Sequence, residues 1–116
     1  MAKEAKVDYD KEFDIFYVYS GEKARDSIEI DNFVLDMSAE NKVVGVEIFN
    51  ASIFVSKLSG IDISKEQLSL IKSAKMSFYQ SKELFFVGIF LPIKVNGKEQ
   101  EIPLQVPAPR AIMATL

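Results

Sequence analysis

The sequence contains no cysteine and no histidine. The first absence removes disulfides, thiolate metal sites and a cysteine nucleophile. The second removes a Ser-His-Asp triad and the imidazole ligands of a catalytic zinc. Any enzymatic chemistry would have to rest on carboxylates, lysine, tyrosine or serine. Arginine is scarce: Arg25 and Arg110 are the only two. Together with a pI near 5.0, this argues against a grip on nucleic acid. The glycines at 21, 45, 60, 88 and 97 are too dispersed to form a phosphate-cradling loop. Long apolar runs are missing as well. The longest, LFFVGIFLPI at 84–93, cannot cross a bilayer as a helix, and its Phe/Val/Ile content with Pro92 suits a strand. MAKEAKVDYD lacks the apolar segment of a signal peptide, so a cytoplasmic address without a membrane partner is expected.

What remains is the make-up of a soluble globular chain. With 116 residues, 48% hydrophobic and 27% charged, it has the length for one domain and one core. The net charge of −3 is unevenly spread: residues 1–50 carry 6 basic and 12 acidic side chains, residues 51–116 carry 8 and 5. Opposite patches of this kind can bring two copies together.

Hydrophobic periodicity predicts strands at both ends. VDYD (7–10) reads as a short strand, and FDIFYVYS (13–20) as a full one, with Phe16 and Val18 on one face and Ile15, Tyr17 and Tyr19 on the other. SIEI, NFVLDM (32–37) and VVGVEIF (43–49) follow; Phe33, Leu35 and Met37 share one face, and Val44, Val46 and Ile48 another. The expectation is an antiparallel meander. Ala51, Phe54, Val55 and Leu58 then fall at helical spacing, with Asn50 placed as N-cap and Gly60 as the left-handed terminator. Ser64 and Gln67 match a capping box, and Ile63 with Leu68 a hydrophobic staple, predicting a second helix from about Lys65 to Ala74. Strand pattern returns at KMSFYQ (75–80), turns at SKE, and runs to Asn96-Gly97, the strongest two-residue hairpin signal. Pairing Val95 with Lys98 sets Val87, Ile89 and Leu91 opposite Val106, Leu104 and Ile102, and Lys94 opposite Glu99. Pro92 and Pro103 fall at non-hydrogen-bonded positions, their missing donors on the hairpin's outer sides.

YDKEFDIFYVY followed by NFVLDMSAENKVVGVEIFNAS resembles domain-of-unknown-function family 2283, a group of short prokaryotic proteins. The matching positions are Tyr9, Asp10, Asp14, Tyr17, Asp36, Val44, Gly45, Glu47, Ile48, Asn50, Ala51 and Ser52, within residues 9–52. The family has no established activity, so the resemblance implies none.

The candidate sites are few. Asp8, Asp10, Glu12 and Asp14 alternate, but counting from Asp8 the sixth and twelfth positions hold Phe13 and Tyr19 where a calcium loop needs Gly and Glu. A solvated acidic turn accounts for the run, and no metal or cofactor is expected. Asn50-Ala51-Ser52 matches a glycosylation sequon, but capping explains the position without export. Asp10, Asp14, Glu47, Asn50 and Ser52 form the candidate polar pocket. KELFFVGIF has a faint likeness to an RNA-binding strand but lacks the Gly-aromatic-Gly element. On the hairpin face opposite the core, Leu84, Phe86 and Phe90 flank Gly88; with Tyr17 and Tyr19 they are the candidate partner-binding residues.

The expected fold is α+β in a single compact domain: a β-meander (9–52), two short helices (50–74), a hairpin-rich antiparallel segment (75–106) and a tail (107–116). The expected function is a non-catalytic binding module acting as a homo-oligomer, a dimer first, with a separate protein partner as the other form of that reading. The alternative is a carboxylate-based enzyme, metal-dependent or not, around Asp10, Asp14, Glu47 and Asn50; nucleic-acid binding ranks third.

Overall fold

The computed structural model describes residues 2–40, 42–80 and 84–109, with side chains described for all of these except 78–80, 84–85 and 107–109. Along the chain run β1 (Lys3–Asp10), β2 (Ile15–Tyr19), β3 (Asp26–Ile30), β4 (Phe33–Met37), β5 (Val43–Phe49), α1 (Ala51–Ser59), α2 (Lys65–Ser69), β6 (Ser73–Gln80), β7 (Leu84–Val95) and β8 (Lys98–Pro109). The strands make one antiparallel sheet in the order β3-β4-β5-β2-β1-β6-β7-β8. The architecture is thus mostly sheet, with two short helices.

The N-terminal meander is corrected by this order. β5 inserts between β4 and β2, so β2 to β5 form a Greek key. The link from β2 to β3 contains no two-residue turn. It swings out at Gly21 (φ 96°) and crosses the ends of β5 and β4, where Ser20 N–H donates to the Val44 carbonyl and Arg25 N–H to that of Met37. The two strand-rich segments are also not separate layers. β1 pairs with β2 through Lys6–Asp10 and with β6 through Lys3–Lys6, welding them edge to edge. β1 is longer than the VDYD segment because Ala5, Val7 and Tyr9 alternate with charged residues, a period-2 signal that begins earlier.

One face of the sheet holds the core. Phe16, Val18, Leu35, Val46, Ile48, Val87, Ile89, Leu91, Leu104 and Val106 are buried there and form one cluster with Ala51 and Val55 of α1 and Leu68 of α2. α1 touches both β5 and β8, although four strands lie between them in the sheet. The sheet therefore curls around this helix. A bulge after Asp36 makes Val44 the extra residue of β5, so Val43 and Val44 are both buried.

α1 ends where the periodicity places its stop, with Gly60 left-handed (φ 72°) and its N–H on the Ser56 carbonyl. Phe54 meets Phe33 edge-on at 4.8 Å, but Leu58 stays 49% exposed, off the core face. The α2 capping box forms as expected: Ser64 N–H donates to Gln67 Oε1 at 2.8 Å and Gln67 N–H to Ser64 Oγ at 3.1 Å. The helix stops at Ser69 rather than near Ala74, because the chain from Ser73 is claimed by β1: Ala74 pairs with Ala5 and both are buried.

The β7–β8 register is the expected one, from Val95↔Lys98 through Lys94↔Glu99 to Val87↔Val106. Asn96 (φ 53°) and Gly97 (φ 79°) both take the left-handed conformation that this turn requires. The β6 ladder ends at Lys75↔Phe90, short of Pro92, and β8 is a sheet edge with Pro103, Pro107 and Pro109 on one side of its alternation, Gln105 falling between the first two. The SKE turn and residues 110–116 of the tail lie outside the described residues. Among the described residues no helix is long and apolar enough to cross a membrane.

Candidate functional site

The most heavily used polar side chain is Asp14. It sits in the β1–β2 turn with φ 55° and is buried. Its carboxylate accepts from the Tyr9 hydroxyl at 2.6 Å, from the Ser52 N–H at 3.0 and 3.1 Å, and from the Ser52 hydroxyl at 2.7 Å. Its carbonyl accepts from Ala51 N–H at 2.9 Å. The first turn of α1 is therefore capped from a distant hairpin, where a carboxylate also meets the positive end of the helix dipole. Tyr9's hydroxyl is held well above the usual phenol range, first by burial and then by its bond to Asp14.

This corrects the role of Asn50. It precedes α1, but its backbone is left-handed (φ 52°, ψ 47°) and its side chain makes no cap bond. Asn is favoured there because it tolerates that conformation, while the cap itself comes from Asp14. Asn50 is exposed, so the expected polar pocket splits. Asp14 and Ser52 form the cap. Asp10 and Glu47 line a separate shallow depression of about 200 Å³ with Asp8, Ile15 and Tyr17, on the sheet face opposite the core. Among the described residues no group of acidic side chains converges closely enough to hold a metal ion.

Beside that depression lies a network the sequence did not disclose. Tyr17 reaches across Gly45, where an added Cβ would stand 2.6 Å from its Oη, and donates to Asp36 at 2.5 Å. Ser27 Oγ donates to the other Asp36 oxygen at 2.8 Å. Tyr17 also stacks on Tyr19, with ring centroids 4.7 Å apart. Burial, followed by the bond to Asp36, raises the Tyr17 phenol above its usual range. Burial first, and the Asp36 charge second, raise the Glu47 carboxyl. Tyr9 and Asp36 were marked only by the family resemblance and Ser27 by nothing but alternation; the Tyr17–Asp36 bond depends on the β2–β5–β4 order. Lys11 and Glu66 form an exposed ion pair at 3.1 Å that ties the β1–β2 turn to α2.

The same outer face continues over β6 and β7. Phe86 and Phe90 are partly exposed on either side of a buried Gly88, with Pro92 next in line. Leu84 belongs to β7, but its side chain lies outside the described ones. The N-terminal strands stand beside this strip in the sheet, not across it; β1 and β6 separate it from Tyr17 and Tyr19.

The profile of a protein family of unknown function, DUF2283, matches residues 6–52. "Uncharacterized protein MJ0789" of Methanocaldococcus jannaschii is 37% identical over 95 residues, which cover 81% of this chain and 78% of that protein. A "Putative hypoxanthine phosphoribosyltransferase" of Methanosarcina mazei is 34% identical over 96 residues, covering 82% of this chain and 72% of that one. No solved structure matches. The chain belongs to the DUF2283 family.

Proposed function

We propose that the protein is a non-catalytic binding module that works as a two-fold homodimer, pairing through the outer face of its sheet. The observation that carries this reading is the strip of Phe86, Phe90 and Pro92 around Gly88, on the face turned away from the core. An apolar strip at that position is interface material. Edge-to-edge pairing is disfavoured at both ends of the sheet. β8 places prolines along its outer side, and β3 is five residues long with Asp26 and Glu29.

Light scattering on the full chain tests this. The double substitution Phe86→Ser with Phe90→Ser should leave a folded protein of half the wild-type mass, checked by circular dichroism. A monomeric wild type, or a folded double variant that keeps the wild-type mass, removes the reading.

A carboxylate enzyme is the second reading, favoured by one observation: Glu47 shares a depression with Asp10 and Tyr17, and burial with the Asp36 charge raises its carboxyl, the direction that suits acid–base work. Asp14 and Asn50 drop out of that site, one committed to the helix cap and the other pointed to solvent. The transferase activity named for the Methanosarcina relative gains no support from α1. Its N-terminus, where a phosphate would find free N–H groups, is filled by the Asp14 carboxylate.

A further inference from the structure

Away from the Phe86–Phe90 strip, the other half of the outer face carries charge without a counter-charge. Asp8, Tyr17 and Glu47 stand side by side on β1, β2 and β5, in one row across the sheet. The two carboxylates flank the tyrosine, about 10 Å apart at the backbone. Neither Asp8 nor Glu47 makes an ion pair or accepts a hydrogen bond among the described residues. The next row holds Lys6, Tyr19, Gly45 and Asp36. Its lysine leans away, toward Gly21, where an added Cβ would stand 3.3 Å from Lys6 Nζ. Lys11, in the β1–β2 turn, is held by Glu66. The charges that act on Glu47 and Tyr17 accordingly come from Asp36, Glu47 and Tyr19, with no cation among them. The fold gains nothing from this crowding, and local rules are broken mostly where a site needs it.

The same place has a recess and an aromatic wall. Asp8, Asp10 and Glu47 line the depression of about 200 Å³ together with Ile15 and Tyr17. Tyr17 is half-buried, and its ring is fixed by the bond to Asp36 and the stack on Tyr19. Tyr19 is not part of the lining, so the depression meets the ring from the Ile15 side. A guanidinium stacks on such a ring while its N–H groups fork to carboxylates. Volume decides the kind of ligand. The depression is smaller than the roughly 300–1,000 Å³ of small-molecule sites and suits a single side chain. Carboxylates continue past it to Asp36 and Glu29, a path for a longer cationic chain.

We infer that this face docks a basic segment of a partner protein. One arginine enters the depression, its stem on Ile15 and its guanidinium against Tyr17 among Asp8, Asp10 and Glu47. The inference does not rest on the dimer reading, since β1 and β6 separate this face from Phe86 and Phe90.

The test titrates the full chain into a labelled, capped peptide, Ser-Arg-Ser-Arg-Ser-Arg-Ser, followed by fluorescence anisotropy. Copies carrying lysine or neutral citrulline in place of arginine serve as comparisons. The arginine peptide should bind saturably, the lysine peptide about threefold more weakly and the citrulline peptide not at all. Asp8→Asn with Glu47→Gln should weaken the arginine peptide roughly tenfold. Glu99→Gln with Glu101→Gln, at the far end of the same face, removes as much charge and should leave binding unchanged. Equal losses in the two double variants would reduce the attraction to net charge. That result, or equal binding of the lysine or citrulline peptide, overturns the inference. So does a light-scattering mass that falls in Asp8→Asn with Glu47→Gln, because a second copy would then cover the face.

Discussion

The two ends of the sheet are held in register by different means. β7 and β8 follow one another in the chain, and the Asn96-Gly97 turn aligns all twelve residue pairs from Val95↔Lys98 outward. β2 and β5 are separated by two other strands in sequence, and side chains lock their half: Asp14 reaches Ser52, and Tyr17 crosses Gly45 to Asp36. The hairpin is specified by backbone geometry and alternation over a short stretch of chain. The Greek key is held by buried and half-buried polar groups that meet only once the strands are in place. Damage to the first should be local and graded; damage to the second should unlatch several elements together.

The largest effect is expected at Asp14. Asp14→Ala leaves Ser52 N–H, Ser52 Oγ and Tyr9 Oη without their acceptor, and puts alanine at a left-handed position. The cost should be about 3 kcal/mol by urea denaturation, with Asp14→Asn retaining part of it. A loss as small as that of a single turn residue would erase the contrast between the two halves. Next come the left-handed asparagines, one in each half. Asn50→Ala and Asn96→Ala should each cost about 1 kcal/mol. Asn50→Ser sharpens the point. Serine is a good N-cap but a poor left-handed residue, so it should cost as much as alanine; a neutral serine would restore a side-chain cap at Asn50. The smallest effect belongs to Glu47. Its carboxyl is raised in the folded protein, so the folded state holds the proton more tightly than the unfolded one. Stability from this group is complete at acid pH and is lost as pH rises from about 4.5 through the folded value. Glu47→Gln should therefore match the wild type near pH 4 and melt slightly higher at neutral pH; melting curves that stay parallel across this range would contradict it.

How far the sequence was legible follows the same division. The hairpin register could be read residue by residue, because Asn-Gly permits one alignment and Lys94–Glu99 agrees with it. The capping box at Ser64 was equally readable, being complete within four residues. α2 was read too long because helical spacing at Ile71 and Ala74 also fits a strand start, and pairing with β1 decided for the strand. The Greek key was hidden because β2, β4 and β5 share one alternation and nothing local says which two are neighbours. The same ambiguity merged two separate sites into one. Asp10 and Glu47 do share a depression, but Asp14 and Ser52 belong to a helix cap and Asn50 to a turn conformation. Asparagine before a helix suits both a cap and a left-handed residue, and only the backbone angle separates them.

The position of β1 has a consequence for synthesis. This strand is made long before β6, yet it ends in the interior of the sheet with β6 along one side. When the segment matched by the family, residues 6–52, has left the ribosome, β1 can already hold β2, but its far side still offers bare backbone groups. Along Lys3–Lys6 that edge gains its partner only when Ser73 and the residues after it emerge. The first four residues of β6 thus complete the start of a strand made some seventy residues earlier.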